Sequence, residues 1–463
     1  HTVTVMSDFP KISERDLRIL EVGQTPPRQR PNGRVYAAIG SEIRCDKDIF
    51  DSYSYEGWSN IHHDLLIVCA SVEFADRRWA RGNVQWVRHI RVTVPVIELS
   101  TWQDASVLQN LCDSLRHLTG DEWHFNFVRH EGAATSKPRQ GPLFPNQRKE
   151  FAIAYSEGLD SLSVSGLYNE NDIAVRVRVS KYKQRLRKDE SPFDRLPFHV
   201  NVGKKSYEDS ARSRSFKFAA VTAIAAQLSN VSRIIVPESG QGALGPVLLP
   251  LLNIYPDYRN HPTFFRKMER FIKALLGWDV AYEQPRLWHS KGQTIAAFLA
   301  KPGVKAEQVI NTRSCWQQRF NVRVSGEIRQ CGVCAACLLR RMSLHAAGVE
   351  EPSEKYAIGD LQAARFSDAL PKQNSFNATG TLYDCGYMGA RHLQQLADFA
   401  GAPDAFLKPY AFQLAEALGA SLDDATGKLR GVLVQHSEEW AAFEQHQGEK
   451  SFLKLWTKGG RHG

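Results

Sequence analysis

FAIAYSEGLDSLSVSGL, residues 151–167, runs from a short apolar stretch through a turn of small residues into a helical pattern. A strand, a loop and a helix in that order make an anion site. Glycine and serine let backbone N–H groups come close to a phosphate, and the helix that follows points its positive end at it. The candidate loop is Ser156, Glu157, Gly158, Leu159, Asp160 and Ser161. Asp160 can hold a magnesium ion that bridges phosphate oxygens, and the two serines can add hydroxyl hydrogen bonds. The lysine of a GxxxxGK[ST] loop is missing, so this is not a Walker-type site. Glu157 puts a carboxylate beside the anion unless it turns away. The alternative is an ordinary helix start, since serine and aspartate are common N-caps.

Outward from this loop the pattern alternates. Strand-like runs at Ile173–Val179, His199–Val202 and Arg233–Pro237 are separated by helical runs such as Phe216–Leu228 and Phe264–Leu276. Alternation of this kind predicts an α/β domain, a parallel sheet covered by helices on both faces, over residues 149–348. Residues 1–32 are rich in Pro, Arg and Gln and form a flexible lead-in. Residues 33–131 are expected to be an N-terminal α+β accessory domain. Its strand-like runs are HDLLIVCASVEFADRRW (63–79) and WVRHIRVTVPVIEL (86–99), with period-2 alternation at Arg91–Val96. A helix at Ser106–Leu118 and a strand at Trp123–Val128 follow. Residues 132–148 are a linker rich in Gly, Pro and Lys, and residues 349–463 form a helical C-terminal region.

The 463 residues are 43% hydrophobic and 24% charged, the composition of a soluble globular protein. No apolar run approaches the ~20 residues of a membrane span. The first residues, HTVTVMSDFP, lack a charged-then-apolar signal pattern. A cytoplasmic protein with no membrane partner is expected. A net charge of +9 favours an anionic partner. The basic run Lys181–Lys188 is either part of that surface or a solvated face. Nucleic acid is one such partner, though charge alone does not name it.

Of eight cysteines, Cys45, Cys69, Cys112 and Cys385 are scattered, the first three in or beside apolar runs, and read as small core residues. Cys315, Cys331, Cys334 and Cys337 are grouped, the last three as CxxCxxC. Four thiolates form a closed tetrahedral shell for a structural zinc ion. An iron–sulfur cluster uses similar ligands, and unmetallated core cysteines are the remaining alternative.

SEGLDS resembles the SGGxDS signature of PP-loop ATP-pyrophosphatases, with Glu157 where that family has glycine. The resemblance implies an adenine nucleotide alpha-hydrolase-like core in which the loop holds pyrophosphate as leaving group while an oxygen nucleophile attacks the α-phosphorus. With C…CGxCxxC downstream and Arg340 after it, the stretch from Lys149 to Gly348 resembles the 7-cyano-7-deazaguanine synthase family, QueC. Tyr182-Lys183-Gln184-Arg185 is similar to that family's YGQR, and Arg214 with Phe218 to its R-N-x-x-F helix start. Tyr255-Pro256-Asp257-Tyr258-Arg259 is similar to its YPDCR. Ser290-Lys291-Gly292 resembles its T-K-x-E step, with Gln293 in place of the acid.

That resemblance implies ATP, Mg²⁺ and Zn²⁺ as cofactors and 7-carboxy-7-deazaguanine as the small-molecule substrate. Its carboxylate would be adenylated and passed to an amine by a carbon–nitrogen ligase of the AMP-forming kind. Asp160, Lys291 and Arg340 become the catalytic candidates, and Tyr182, Arg214, Asp257 and Arg259 the substrate-binding ones. The added N- and C-terminal regions resemble the long QueC-like proteins of bacterial anti-phage systems. There the acceptor implied is the N-terminal amine of a partner protein. Three alternatives stay open: a housekeeping nitrile synthase using ammonia, a tRNA-modifying PP-loop enzyme, and a non-catalytic nucleotide-binding subunit.

Overall fold

The computed structural model describes residues 15–29, 33–46, 57–82, 86–132, 148–156, 158–179, 196–203, 207–249, 254–317, 322–372 and 380–459. Glu157, Tyr182 and the run Lys181–Lys188 lie outside these residues.

The N-terminal part contains β1 (Arg15–Leu20), β2 (Arg34–Ala38), β3 (Ile43–Cys45), α1 (Asn60–Arg78), β4 (His89–Val96), α2 (Leu99–Trp102), α3 (Ala105–Thr119) and β5 (Glu122–Arg129). Its sheet has the order β2-β1-β4-β5 with every pair parallel. Expected as an α+β unit, it is thus of the same parallel, helix-crossed type as the core that follows. Residues 1–32, expected as a flexible lead-in, contain β1, which pairs on both sides within the sheet and buries Leu17 and Ile19. A second expectation is corrected too. The run at 63–79 is the helix α1, not a strand. A continuous apolar run cannot be told from a buried helix by periodicity alone, and α1 is buried almost all round, from His62 to Asp76.

The second sheet is built from β6 (Phe151–Tyr155), β7 (Ala174–Arg178), β9 (Arg233–Ile235) and β10 (Ala281–Glu283), in the order β10-β9-β6-β7 and all parallel. Between them lie α4 (Leu159–Tyr168), β8 (Phe198–Val200), α5 (Arg214–Leu228), α6 (Gly240–Leu248) and α7 (Pro262–Leu276). The sequence run near His199 is a strand, yet it leaves this sheet. β8 pairs antiparallel with β3, Ile43 opposite Val200. From β6 the chain moves outward to β7 and then returns to the other side as β9. The C-terminal ends of β6 and β9 therefore flank the switch point where parallel sheets hold ligands.

A single apolar cluster joins the two sheets, from Leu17 and Val92 through Leu66 to Ala220 and Phe271. α1 packs on α5 and α3 on α7. The buried charges on α1 all find partners. Glu73 pairs with Lys217 at 2.7 Å, and Asp76 pairs with Arg88 at 2.6 Å while accepting from the Ser213 N–H at 2.9 Å. The last contact fixes the residue between Arg212 and Arg214.

The chain continues through α8 (Lys291–Leu299), α9 (Ala306–Ile310), the hairpin β11 (Arg323–Val324) and β12 (Glu327–Ile328), and α10 (Ala335–Ala346). The C-terminal region is helical as expected, with α11 (Gly380–Asp398), α12 (Asp404–Leu418), α13 (Leu422–Gln447) and α14 (Phe452–Thr457). It does not stand apart, because α11 and α13 pack on α10, and α13 also touches α6. Among the described residues no helix is long and apolar enough to cross a membrane.

Candidate functional site

Strand β6 ends at Tyr155, and the chain turns straight into α4, with Gly158 as its N-cap. Ser156 Oγ lies 3.0 Å from Ser161 Oγ and accepts from the Gly158 N–H at 3.1 Å. The two hydroxyls and the first turn of α4 thus form one concave face. That geometry suits an anion, because unpaired N–H groups and the helix dipole converge there.

The loop opens into a cavity of ≈ 660 Å³ at the switch point. Five cations line it (Arg212, Arg214, Arg259, Lys291 and Arg313) against three carboxyls, Asp160, Glu238 and Asp257. The excess of positive charge favours an anionic ligand. Lys291 comes from the first turn of α8 and places its Nζ 2.5 Å from Asp160 Oδ2. Burial alone would lower the lysine's pKa, but Asp160 and then Glu238 raise it on balance, so the ammonium is held charged. Asp160 Oδ1 accepts from Ser239 Oγ at 3.3 Å.

The start of α8 is itself braced. Ser290 caps the helix through the Gln293 N–H at 2.9 Å, and the Gln293 side chain accepts from the Ser290 N–H at 3.0 Å. This capping box accounts for glutamine where the resembled family has an acid, since either side chain can accept that bond. Glu439 of α13 accepts from Ser290 Oγ, and Gln241 Oε1 accepts from the Lys291 N–H at 2.6 Å. The C-terminal helices therefore help to aim Lys291.

Asp257 and Arg259 both line the cavity, but chiefly hold each other. Arg259 donates to both Asp257 oxygens, at 2.5 Å for the shortest bond, and Arg212 Nη1 is 3.5 Å away. Burial would raise the Asp257 pKa, yet Arg259 and then Arg212 pull it below the usual carboxylate range. Asp257 is thus an ionised carboxylate already engaged with two cations. Arg214 begins α5 and lies 5.1 Å over the Phe218 ring at the cavity wall.

Arg340 is not brought to the cavity. Its guanidinium is fully buried against Glu351 at 2.6 Å, Thr312 Oγ1 at 2.6 Å and the carbonyls of Val309 and Ile310. It ties down the chain just before Arg313, Ser314 and Cys315. Its donors hold that segment, while its charge still acts on Lys291.

The four cysteines Cys315, Cys331, Cys334 and Cys337 converge, with all their sulfur atoms within 4.8 Å of one another. Tetrahedral zinc with Zn–S near ~2.3 Å requires sulfurs ~3.8 Å apart, and Cys331 and Cys337 stand at 3.7 Å. The backbone N–H groups of Cys331 and Cys334 point at Cys315 and Cys331 sulfurs, at 3.2 and 3.3 Å. Gly332 turns with φ +92°, and a Cβ there would meet the Ile358 carbonyl oxygen at 2.2 Å, so only glycine serves. The donor set fits zinc. Ser314, Trp316 and Ala336, flanking these ligands, line the cavity, so the knuckle shapes one of its walls.

Some lining groups escaped the sequence reading. Glu238 follows the end of β9, and the rule that ligands gather beyond strand C-termini would have flagged it. Arg313 sits beside a zinc ligand. The α11 wall, with Met388 and His392, left no signal, because only the folded chain brings it there.

Residues 251–348 match the family model described as Queuosine biosynthesis protein QueC. No curated protein and no solved structure matches the chain. The matched segment contains Asp257, Arg259, Lys291, Arg340 and all four clustered cysteines, whereas the loop before α4 and Glu238 lie before it. Over residues 251–348 the chain is QueC-like, and that segment carries a four-thiol site that fits zinc.

Proposed function

We propose that this chain is a PP-loop enzyme that uses ATP to adenylate the carboxylate of a 7-deazaguanine and passes the acyl group to an amine. The observation that carries the reading is the meeting of Lys291 and Asp160 across the mouth of α4, inside a cation-lined cavity bordered by a QueC-like cysteine knuckle. A carboxylate is a poor electrophile, and AMP as leaving group makes it a good one. The geometry supports the following roles. The α4 N-terminus with Ser156 and Ser161 binds the pyrophosphate. Asp160 would hold the magnesium ion, and Lys291 neutralises charge developing on phosphate. Zinc, when bound by the four thiolates, supplies structural cross-linking and no chemistry.

The acceptor proposed is the N-terminal amine of a partner protein, as in the anti-phage systems that the chain's layout resembles. Helix α11, beyond the matched segment, forms a cavity wall, so the added C-terminal region borders the path to the reacting carbon. The test mixes the protein with ATP, 7-carboxy-7-deazaguanine and the product of a neighbouring gene. A deazaguanine-acyl mass on that protein's N-terminus supports the reading. No mass shift, with release of the free nitrile, assigns ordinary nitrile synthesis instead.

A further inference from the structure

The three carboxyls of the cavity are not equivalent. Asp160 has Lys291 at 2.5 Å and Asp257 has Arg259 at 2.5 Å. Glu238 has no cation of its own among the described residues. Its oxygens accept only from the Asn260 side-chain amide at 2.8 Å and, weakly, from the Ser239 N–H at 3.2 Å. An ionised carboxylate offers about four acceptor positions; two are used here, and Glu238 lines the cavity. Space is kept open for it, since a Cβ at Gly242 would come within 2.2 Å of Glu238 Oε1. Glu238 makes no hydrogen bond to Asp160.

Resting on the reading above, we propose that Glu238 is the proton acceptor of the second half-reaction, taking the proton that the attacking amine must lose. In that step the amine nitrogen forms a bond to the acyl carbon, and the bond from that carbon to the AMP oxygen breaks. The electron pair leaves with AMP, and the N–H proton passes to the Glu238 carboxylate. The same chemistry serves ammonia and a protein α-amine.

The electrostatics agree with this placement. The charged groups that act on Glu238 are Asp160 from α4 and Lys291 from α8, with neutral Asn260 beside it. Burial first, and Asp160 second, push its pKa up to about 8, against the pull of Lys291. Two carboxyls near one lysine, one ion-paired with it and one pushed toward neutral pH, divide into an electrostatic group and an acid–base group.

The deciding experiment compares the wild type with Glu238→Gln in two assays. Exchange of labelled pyrophosphate into ATP, dependent on 7-carboxy-7-deazaguanine, reads the adenylation. Single-turnover amide formation, with ammonium and separately with a peptide bearing a free α-amine, reads the transfer. The expected result is a transfer-to-exchange ratio about 100-fold lower in the variant. Glu238→Asp should recover part of the ratio, and equal melting temperatures exclude misfolding. Exchange and transfer falling together would assign Glu238 to the nucleotide site and overturn the proposal. So would unchanged transfer. Absence of exchange in the wild type would instead sink the adenylation reading itself.

Discussion

Lys291 Nζ and Asp160 Oδ2 stand 2.5 Å apart although their helices follow β10 and β6, strands that are not neighbours in the second sheet. The contact sets the lysine at the same helix end where the two serine hydroxyls converge. Replacing Lys291 by alanine removes the cation paired with Asp160 and the one favourable charge that acts on Glu238 among the described residues. Pyrophosphate exchange should fall about 100-fold or more while the protein stays folded, as isotope exchange beside a thermal melt would show. An activity loss that merely tracks unfolding would contradict the assignment.

The cysteine cluster should hold about one zinc ion per chain. Cys334→Ser, or prolonged chelation, should remove it and lower the melting temperature, because the knuckle's buried thiols lose what joins them. Elemental analysis paired with calorimetry checks both effects. Iron with visible charge-transfer absorption in place of zinc would revise the metal.

Arg340→Met should act on stability. It strands Glu351 in the interior, a loss of about 3–5 kcal/mol that denaturant titration can read. The fraction that folds at low temperature should keep carboxylate-dependent exchange. A well-folded variant without exchange would return Arg340 to the chemistry.

The Glu238 carboxyl gives stability a pH dependence of definite sign. Its folded pKa is raised, from the ordinary 4.5 to about 8, so the folded state binds a proton that the unfolded state has released between those values. Stability should therefore fall as pH rises through that window. Glu238→Gln should flatten the fall, measured as unfolding midpoints from pH 5 to 8.

Much of the site was legible in the sequence because it is local. A strand, small residues and a helix start lie within residues 151–167, and CxxCxxC fixes three ligands in one turn. What the sequence hid is what depends on distant packing. The α1 run is buried on nearly every side, so its apolar residues show no helical stripe. Asp257 looked free to meet a substrate, yet Arg259 two residues on engages it. Arg340 looked like a phosphate ligand, yet α9 and Glu351 consume its donors. Glu238 carried no motif and gains its character only where β9 ends beside β6.

The most direct test of the central claim follows the fate of ATP when 7-carboxy-7-deazaguanine is added to the magnesium-loaded protein. Carboxylate-dependent formation of AMP and pyrophosphate, with pyrophosphate exchange into ATP, is the outcome predicted by a loop that holds the β,γ-phosphates as leaving group. Release of ADP and phosphate, or no turnover that depends on the carboxylate, would contradict it.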